Sequence, residues 1–226
     1  MSAANLTGIP SHTAVWDAAS MSSAWDSVRV EHAAVLFADI IGSTCMSEDW
    51  SPAETINFLR SFQQRMAMQV IQHQGHVIQY QGDAIVATFG DSYGARGAPA
   101  RALSCAFGML ETIAAWSADR SARGELPLSI GIGVHYGAVG IGQIGVEQHL
   151  EQAIAGDTVN VARKLEALTR KLGASVVVSD DLLCAMGREA YLGFGVEKLK
   201  PNGHCRIAGR ATSISTWLLP REALTA

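Results

Sequence analysis

Two carboxylates stand where packing alone would not put them. Asp39 interrupts the apolar run Ala33-Ala34-Val35-Leu36-Phe37-Ala38-Asp39-Ile40, and Asp83 sits in the short turn Gln81-Gly82-Asp83 between two apolar stretches. An ionised carboxylate inside a strand core is costly unless it is paired or bound to a cation. On two central strands of one sheet the two would stand side by side. Hard cations such as Mg²⁺ or Mn²⁺ are held by one or two carboxylates plus substrate phosphates, as two-metal phosphoryl transfer requires. Taken singly, each also has a plain structural explanation, Asp83 above all, because Gly-Asp is a common turn pair. A second group lies in Ala155-Gly156-Asp157-Thr158-Val159-Asn160-Val161-Ala162-Arg163-Lys164, where Asn160 and Lys164 share one helix face and Arg163 flanks it. Alone, that segment reads equally as a helix capped by Asp157 with basic surface residues.

The elements that must position these residues follow from local patterns. Residues 33–40 have the length and β-branched content of a buried strand. Ser51-Pro52-Ala53-Glu54 is a helix start with a capping box, and Ile56, Leu59, Phe62, Met66 and Val70 continue it with one apolar face. His76–Tyr80 and Ala84–Phe89 form a hairpin about Asp83, and a glycine-rich loop from Gly90 to Gly97 leads into a helix over Ala98–Ser117. Leu128–His135 alternates large and small residues, as a strand closely approached on one face would. Glycine-dense Gly137–Gly145 is expected to be a further hairpin, followed by a helix over Thr158–Leu172 and a strand over Ser175–Ser179. The order β-α-β-β-α-β, with additions, is an α+β, ferredoxin-like arrangement with a mostly antiparallel central sheet flanked by helices. The expected division is an N-terminal arm (1–30, with a short helix around Ala14–Val28), a catalytic domain (31–220) and a C-terminal tail (221–226).

Composition excludes some functions. The 226 residues are 48% hydrophobic and 17% charged, enough for one substantial core. A net charge of −4 carries no footprint for nucleic acid, and no basic run suggests a membrane surface. The first twenty residues lack a charged n-region followed by an apolar h-region, so no signal peptide is expected, and no apolar stretch approaches about 20 residues. Cys45, Cys105, Cys184 and Cys205 lie far apart without zinc spacing, and the expectation is a soluble cytoplasmic protein with reduced thiols.

Four segments together resemble one family. Phe37–Thr44 resembles the first metal motif of class III adenylyl and guanylyl cyclases, and Gln81–Phe89 their second. Ile132–Gly137 with Gly142–Gly145 resembles their central hairpin, and Gly156–Ala162 their transition-state helix. The similarity runs from about Ala33 to Leu219 in the family's order. It implies a homodimer with active sites at the interface, acting on a nucleoside triphosphate. Two divalent cations, Mn²⁺ or Mg²⁺, would be held by Asp39, Asp83 and the Ile40 carbonyl. Asn160 of the other protomer would orient the ribose, and Lys200 would contact phosphates.

Three departures from the family pattern bear on the reaction. The slot of the usual transition-state arginine holds Lys164, with Arg163 one place earlier; a lysine keeps the charge but loses the planar fork. The two base-reading slots hold Gln79 and Ala153, and Ala153 offers no side-chain hydrogen bond. On the same strand Tyr80 is expected on the opposite face, in the core. A carboxamide at Gln79 can pair with uracil or cytosine, so the pattern resembles the bacterial pyrimidine cyclases of phage defence, whose cyclic UMP or cyclic CMP is read by a separate effector. The alternatives are an atypical adenylyl or guanylyl cyclase and, in another class, an inactive cyclase-like nucleotide sensor. Trp50 is either a wall of the base pocket or a packing residue at the start of its helix.

Overall fold

In the computed structural model, residues 28–46, 48–90, 97–146, 149–188, 195–207, 209–210 and 212–221 are described. Of the expectations above, the arm helix (apart from Val28) and loop residues 91–96 lie outside them.

Strand β1 (Arg29–Ile40) is an interior strand of the sheet. Ala34, Leu36, Ala38 and Ile40 face one hydrophobic cluster, and Ala33, Val35 and Phe37 face another. Burial on both faces is why β1 reads as a near-continuous apolar run. A short helix α1 (Ser43–Met46) follows, then α2 (Pro52–Gln72), β2 (His76–Gln81), β3 (Ala84–Phe89), α3 (Ala98–Ala122) and β4 (Ile130–Val146). The path β2-β3-β1-β4, antiparallel throughout, is the ferredoxin-like order. Beyond it, β5 (His149–Ala155) pairs with β4, and α4 (Asp157–Leu172) leads to β6 (Ala174–Ser179), which lies parallel to β4. Then α5 (Asp180–Arg188), β7 (Lys200–Cys205) and β8 (Ile214–Pro220) complete an eight-stranded sheet.

Helices α2, α3 and α5 bury Phe62, Met66, Met109 and Leu182 against one face of the sheet; α4 covers part of the other through Ala162 and Val159. The capping box of α2 is formed: the Ser51 backbone N–H donates to the Glu54 carboxylate at 2.8 Å, and Ser51 Oγ accepts from the Glu54 N–H at 3.3 Å. Ile56, expected on the apolar face, is instead exposed; Phe58 packs inward, edge-on to Trp50 and stacked on Trp116. The buried Arg120 guanidinium lies 5.3 Å from the Phe58 ring and pairs with Glu125 at 2.7 Å. Trp50 is thus a packing residue of this cluster.

Three other expectations are corrected. Gly137–Gly145 is not a hairpin but the second half of β4, long because it pairs with β1 on one side and β5 on the other. Asp157 does not cap α4: Gly156 holds that position with φ 131°, and Asp157 is the first helical residue, paired with Arg210 at 3.2 Å. Tyr80 is 43% exposed, because β2 is an edge strand whose pairing slips between Val77 and Gln79 and whose last residues, Gln79–Gln81, run out to solvent.

The alternation expected in β4 has a clear cause. A Cβ on Gly133 would lie 2.1 Å from the Glu166 backbone nitrogen, and one on Gly131 2.2 Å from Thr169 Oγ1. Only glycine at both places lets α4 lie directly on the strand.

Candidate active site

Asp39 is opposite Ala84 on β3 and opposite Gly131 on β4. Asp83 immediately precedes Ala84, in a turn that Gly82 closes with φ 62°. The two carboxylates therefore meet at one end of the sheet, in a cavity of about 590 Å³ that also includes Ile40, Ser43, Arg170 and Arg221. Asp39 Oδ2 accepts from the Arg170 guanidinium, which also donates to Glu166 at 2.6 Å. The other Asp39 oxygen is buried without a partner. Burial raises the Asp39 pKa, the Arg170 hydrogen bond opposes it, and the neighbouring Asp83 charge raises it further; the net direction is up.

A second, separate cavity of about 810 Å³ lies over the part of the sheet that α4 leaves uncovered. Phe37 and Val86 form its floor; Gln79 and Tyr80 come from β2, Ala153 from β5, and Asn160 and Arg163 from α4. Gln79 Oε1 accepts from Gln81 at 3.0 Å, so its carboxamide stands at the rim. Of the nine residues singled out in the sequence, three gather at the first cavity and four at the second. Lys164 and Lys200 belong to neither. The Lys164 amine lies 3.5 Å from where a Cβ on Gly209 would stand, and Lys200 is exposed on β7, the edge strand farthest from β2.

The sequence profile of the family described as "Adenylate and Guanylate cyclase catalytic domain" matches residues 26–219. The chain belongs to this family. It is 34% identical over 199 residues to adenylate cyclase 2 of Rhizobium meliloti, covering 86% of this chain and 52% of that protein. It is 33% identical over 153 residues to an adenylate cyclase of Anabaena cylindrica, covering 66% and 30%. The chain thus spans about half or less of the length of these curated relatives. Among solved structures, the adenylyl cyclase CyaB from P. aeruginosa has a TM-score of 0.75 at 20% identity, over 85% of this chain and 95% of that one. The guanylyl cyclase Cya2 has a TM-score of 0.72 at 24% identity, over 85% and 93%. Both similarities show the α+β cyclase fold. Among the described residues, no helix is long and apolar enough to cross a membrane, and Cys105 and Cys205 are free thiols.

Three residues in or behind the first cavity of this cyclase domain escape the sequence reading: Arg170 and Arg221, which line it, and Glu166, which pairs with Arg170. Glu166 and Arg170 form an i, i+4 pair, a pattern that ordinarily marks a solvated helix face. The hint was Gly131, which admits α4 so closely that Glu166 is 7% exposed. Burial pushes the Glu166 carboxyl up to about 7.

The raised pKa has a sign that can be checked. Between the ordinary carboxyl value of 4.5 and about 7, the folded protein holds a proton on Glu166 that the unfolded chain releases. Stability from this group is therefore full below the lower value and is lost as pH rises through the upper one. Asp39 acts in the same sense; buried His135, its pKa lowered first by desolvation, acts in the opposite one. In chelator, denaturant titration from about pH 5 to 8 should cost the native chain on the order of 2–3 kcal/mol relative to Glu166→Gln. Parallel curves for the two proteins would mean that Arg170 keeps Glu166 ionised throughout.

Proposed function

We propose that this chain is the catalytic domain of a nucleotide cyclase, closing a nucleoside triphosphate, ATP first, into its 3′,5′-cyclic monophosphate and pyrophosphate. The observation that carries the reading is the pairing of Asp39 with Asp83 at one end of the sheet, with one Asp39 oxygen buried and unpartnered. That donor set fits a hard divalent cation, which takes carboxylate oxygens and leaves positions for phosphate. Asp39, Asp83 and the Ile40 carbonyl would hold two such ions, Mg²⁺ or Mn²⁺; the ions would activate the ribose 3′-hydroxyl and neutralise the leaving pyrophosphate.

The second cavity supplies the nucleoside's partners. Gln79 has an amide donor and a carbonyl acceptor on one plane, and a carboxamide of this kind pairs bidentately with the adjacent N6 and N7 of adenine. Asn160 orients the ribose, and Arg163 takes the charge that develops on the α-phosphoryl group. Asn160 and Arg170 lie about 15 Å apart along α4, and the two cavities share no residue. A homodimer in which the metal cavity of one copy faces the base cavity of the other joins the halves, with exposed Tyr80 and Ile144 beside the second cavity as apolar contacts. In that dimer Lys200 is a phosphate contact only if it approaches from the second copy.

The adenylate cyclases among the relatives favour the purine reading over the pyrimidine one. Cyclic UMP or cyclic CMP, as a defence signal for a separate effector, is the second reading; it rests on Ala153, which leaves Gln79 as the base-edge side chain. Purified protein offered ATP, GTP, CTP and UTP separately with Mn²⁺, with products identified by mass, decides between them. Cyclic AMP should dominate. Cyclic UMP or CMP in its place installs the second reading, and silence with all four leaves an inactive, cyclase-like nucleotide sensor.

A further inference from the structure

Arg221 lies just past residue 219, where the family match ends, yet it lines the cavity of Asp39 and Asp83. Its backbone N–H donates to the Gly173 carbonyl at 3.0 Å, and its guanidinium to the Ala174 carbonyl at 3.4 Å. The end of β8 is thereby pinned to the turn between α4 and β6, and the side chain is held at the cavity wall. Its Nε is buried without a partner. Arg170 reaches the same cavity from the last turn of α4, held by Asp39 and Glu166.

A cavity whose carboxylates take divalent cations does not need two arginines as well. With Asp39 and Asp83 occupied by cations, Arg170 shares its aspartate with a stronger positive charge, and Arg221 has no carboxylate among its named partners. The cavity is then strongly positive, with two planar donor forks at its wall. Forks of this kind match phosphate oxygens two at a time, and a polyphosphate presents several.

We propose that Arg170 and Arg221 form a polyphosphate clamp on the metal side of the active site, gripping the β- and γ-phosphates of the bound triphosphate and then the pyrophosphate released from it. This rests on the cyclase reading for its substrate, but it assigns phosphate recognition to residues of the copy that also carries the carboxylates, one of them outside the family's matched segment. Arg170 is paired with Asp39 and Glu166; with cations held by the two aspartates, its guanidinium would be available to the phosphate chain.

The test is calorimetric binding of inorganic pyrophosphate, in the presence of Mn²⁺, to the full chain and to its Arg170→Gln and Arg221→Gln variants, with melting temperature as the check on folding. Each variant should bind pyrophosphate about tenfold or more weakly, the scale of a lost charge-assisted pair. If Arg170→Gln unfolds because Asp39 and Glu166 are left without their cation, Arg221→Gln decides alone, since its named bonds are to backbone carbonyls. Unchanged affinity in a folded Arg221→Gln, or no pyrophosphate binding by the native chain, overturns the clamp. A native chain that binds pyrophosphate through these arginines but makes no cyclic nucleotide removes the cyclase reading instead. A native chain that cyclises while its folded variants bind pyrophosphate normally removes the clamp alone.

Discussion

Asp39→Asn should lower turnover by about three orders of magnitude or more, the scale of losing a principal catalytic group, while leaving the metal-free protein no less stable than the native one. The two halves of this expectation have one cause. Burial and the nearby Asp83 raise the Asp39 pKa despite the Arg170 hydrogen bond, so the ionised carboxylate is held at a cost in the folded state. An isosteric carboxamide removes that cost along with the negative oxygens a divalent cation needs. Asp83→Asn should match it in turnover. The measurement is kcat with Mn²⁺ in excess, beside a melting curve in chelator. Full turnover in either variant would sink the two-metal reading; a large fall in melting temperature for Asp39→Asn would show that the Arg170 bridge outweighs the burial.

Arg163→Ala should reduce kcat about 100-fold or more with a modest change in KM, whereas Lys164→Ala should cost less than about fivefold. The spacing of the family motif points to Lys164 as the cation for the transition state. The structure separates the neighbours: Arg163 lines the second cavity with Asn160, and Lys164 lies against Gly209. Of the two, Arg163 alone lines that cavity. A guanidinium there also offers a fork to the charge developing on the α-phosphoryl group, which an amine does not. The reverse ranking of the two variants would mean that the segment around Gly209 moves in the working dimer and that Lys164 swings into place.

The local signals in this sequence reported local structure well. The apolar run of β1, the capping box of α2, the hairpin about Asp83 and the large–small alternation of β4 all have the cause inferred for them. Where the reading failed, the answer lay in the register between elements. Nothing in residues 137–145 alone separates a hairpin from a long strand; pairing with β1 and β5 settles it. Tyr80 has the spacing of a core residue, but β2 is an edge strand, and edge position is a property of the whole sheet. Ile56 has helical spacing too, yet Phe58 fills the contact with Trp50 and Trp116. The Glu166–Arg170 pair becomes a site feature only once Gly131 is known to oppose Asp39. Arg221 had no signal at all, because its role depends on β8 ending beside the turn after α4.

If the two cavities, which share no residue, are joined only in the proposed homodimer, the catalyst is a product of mass action. In dilute solution, where single copies predominate, the rate should rise with the square of the protein concentration, becoming linear only once nearly every copy is paired. Any module that holds two such chains together would then set output through their local concentration, with no change to a single residue of the chemistry.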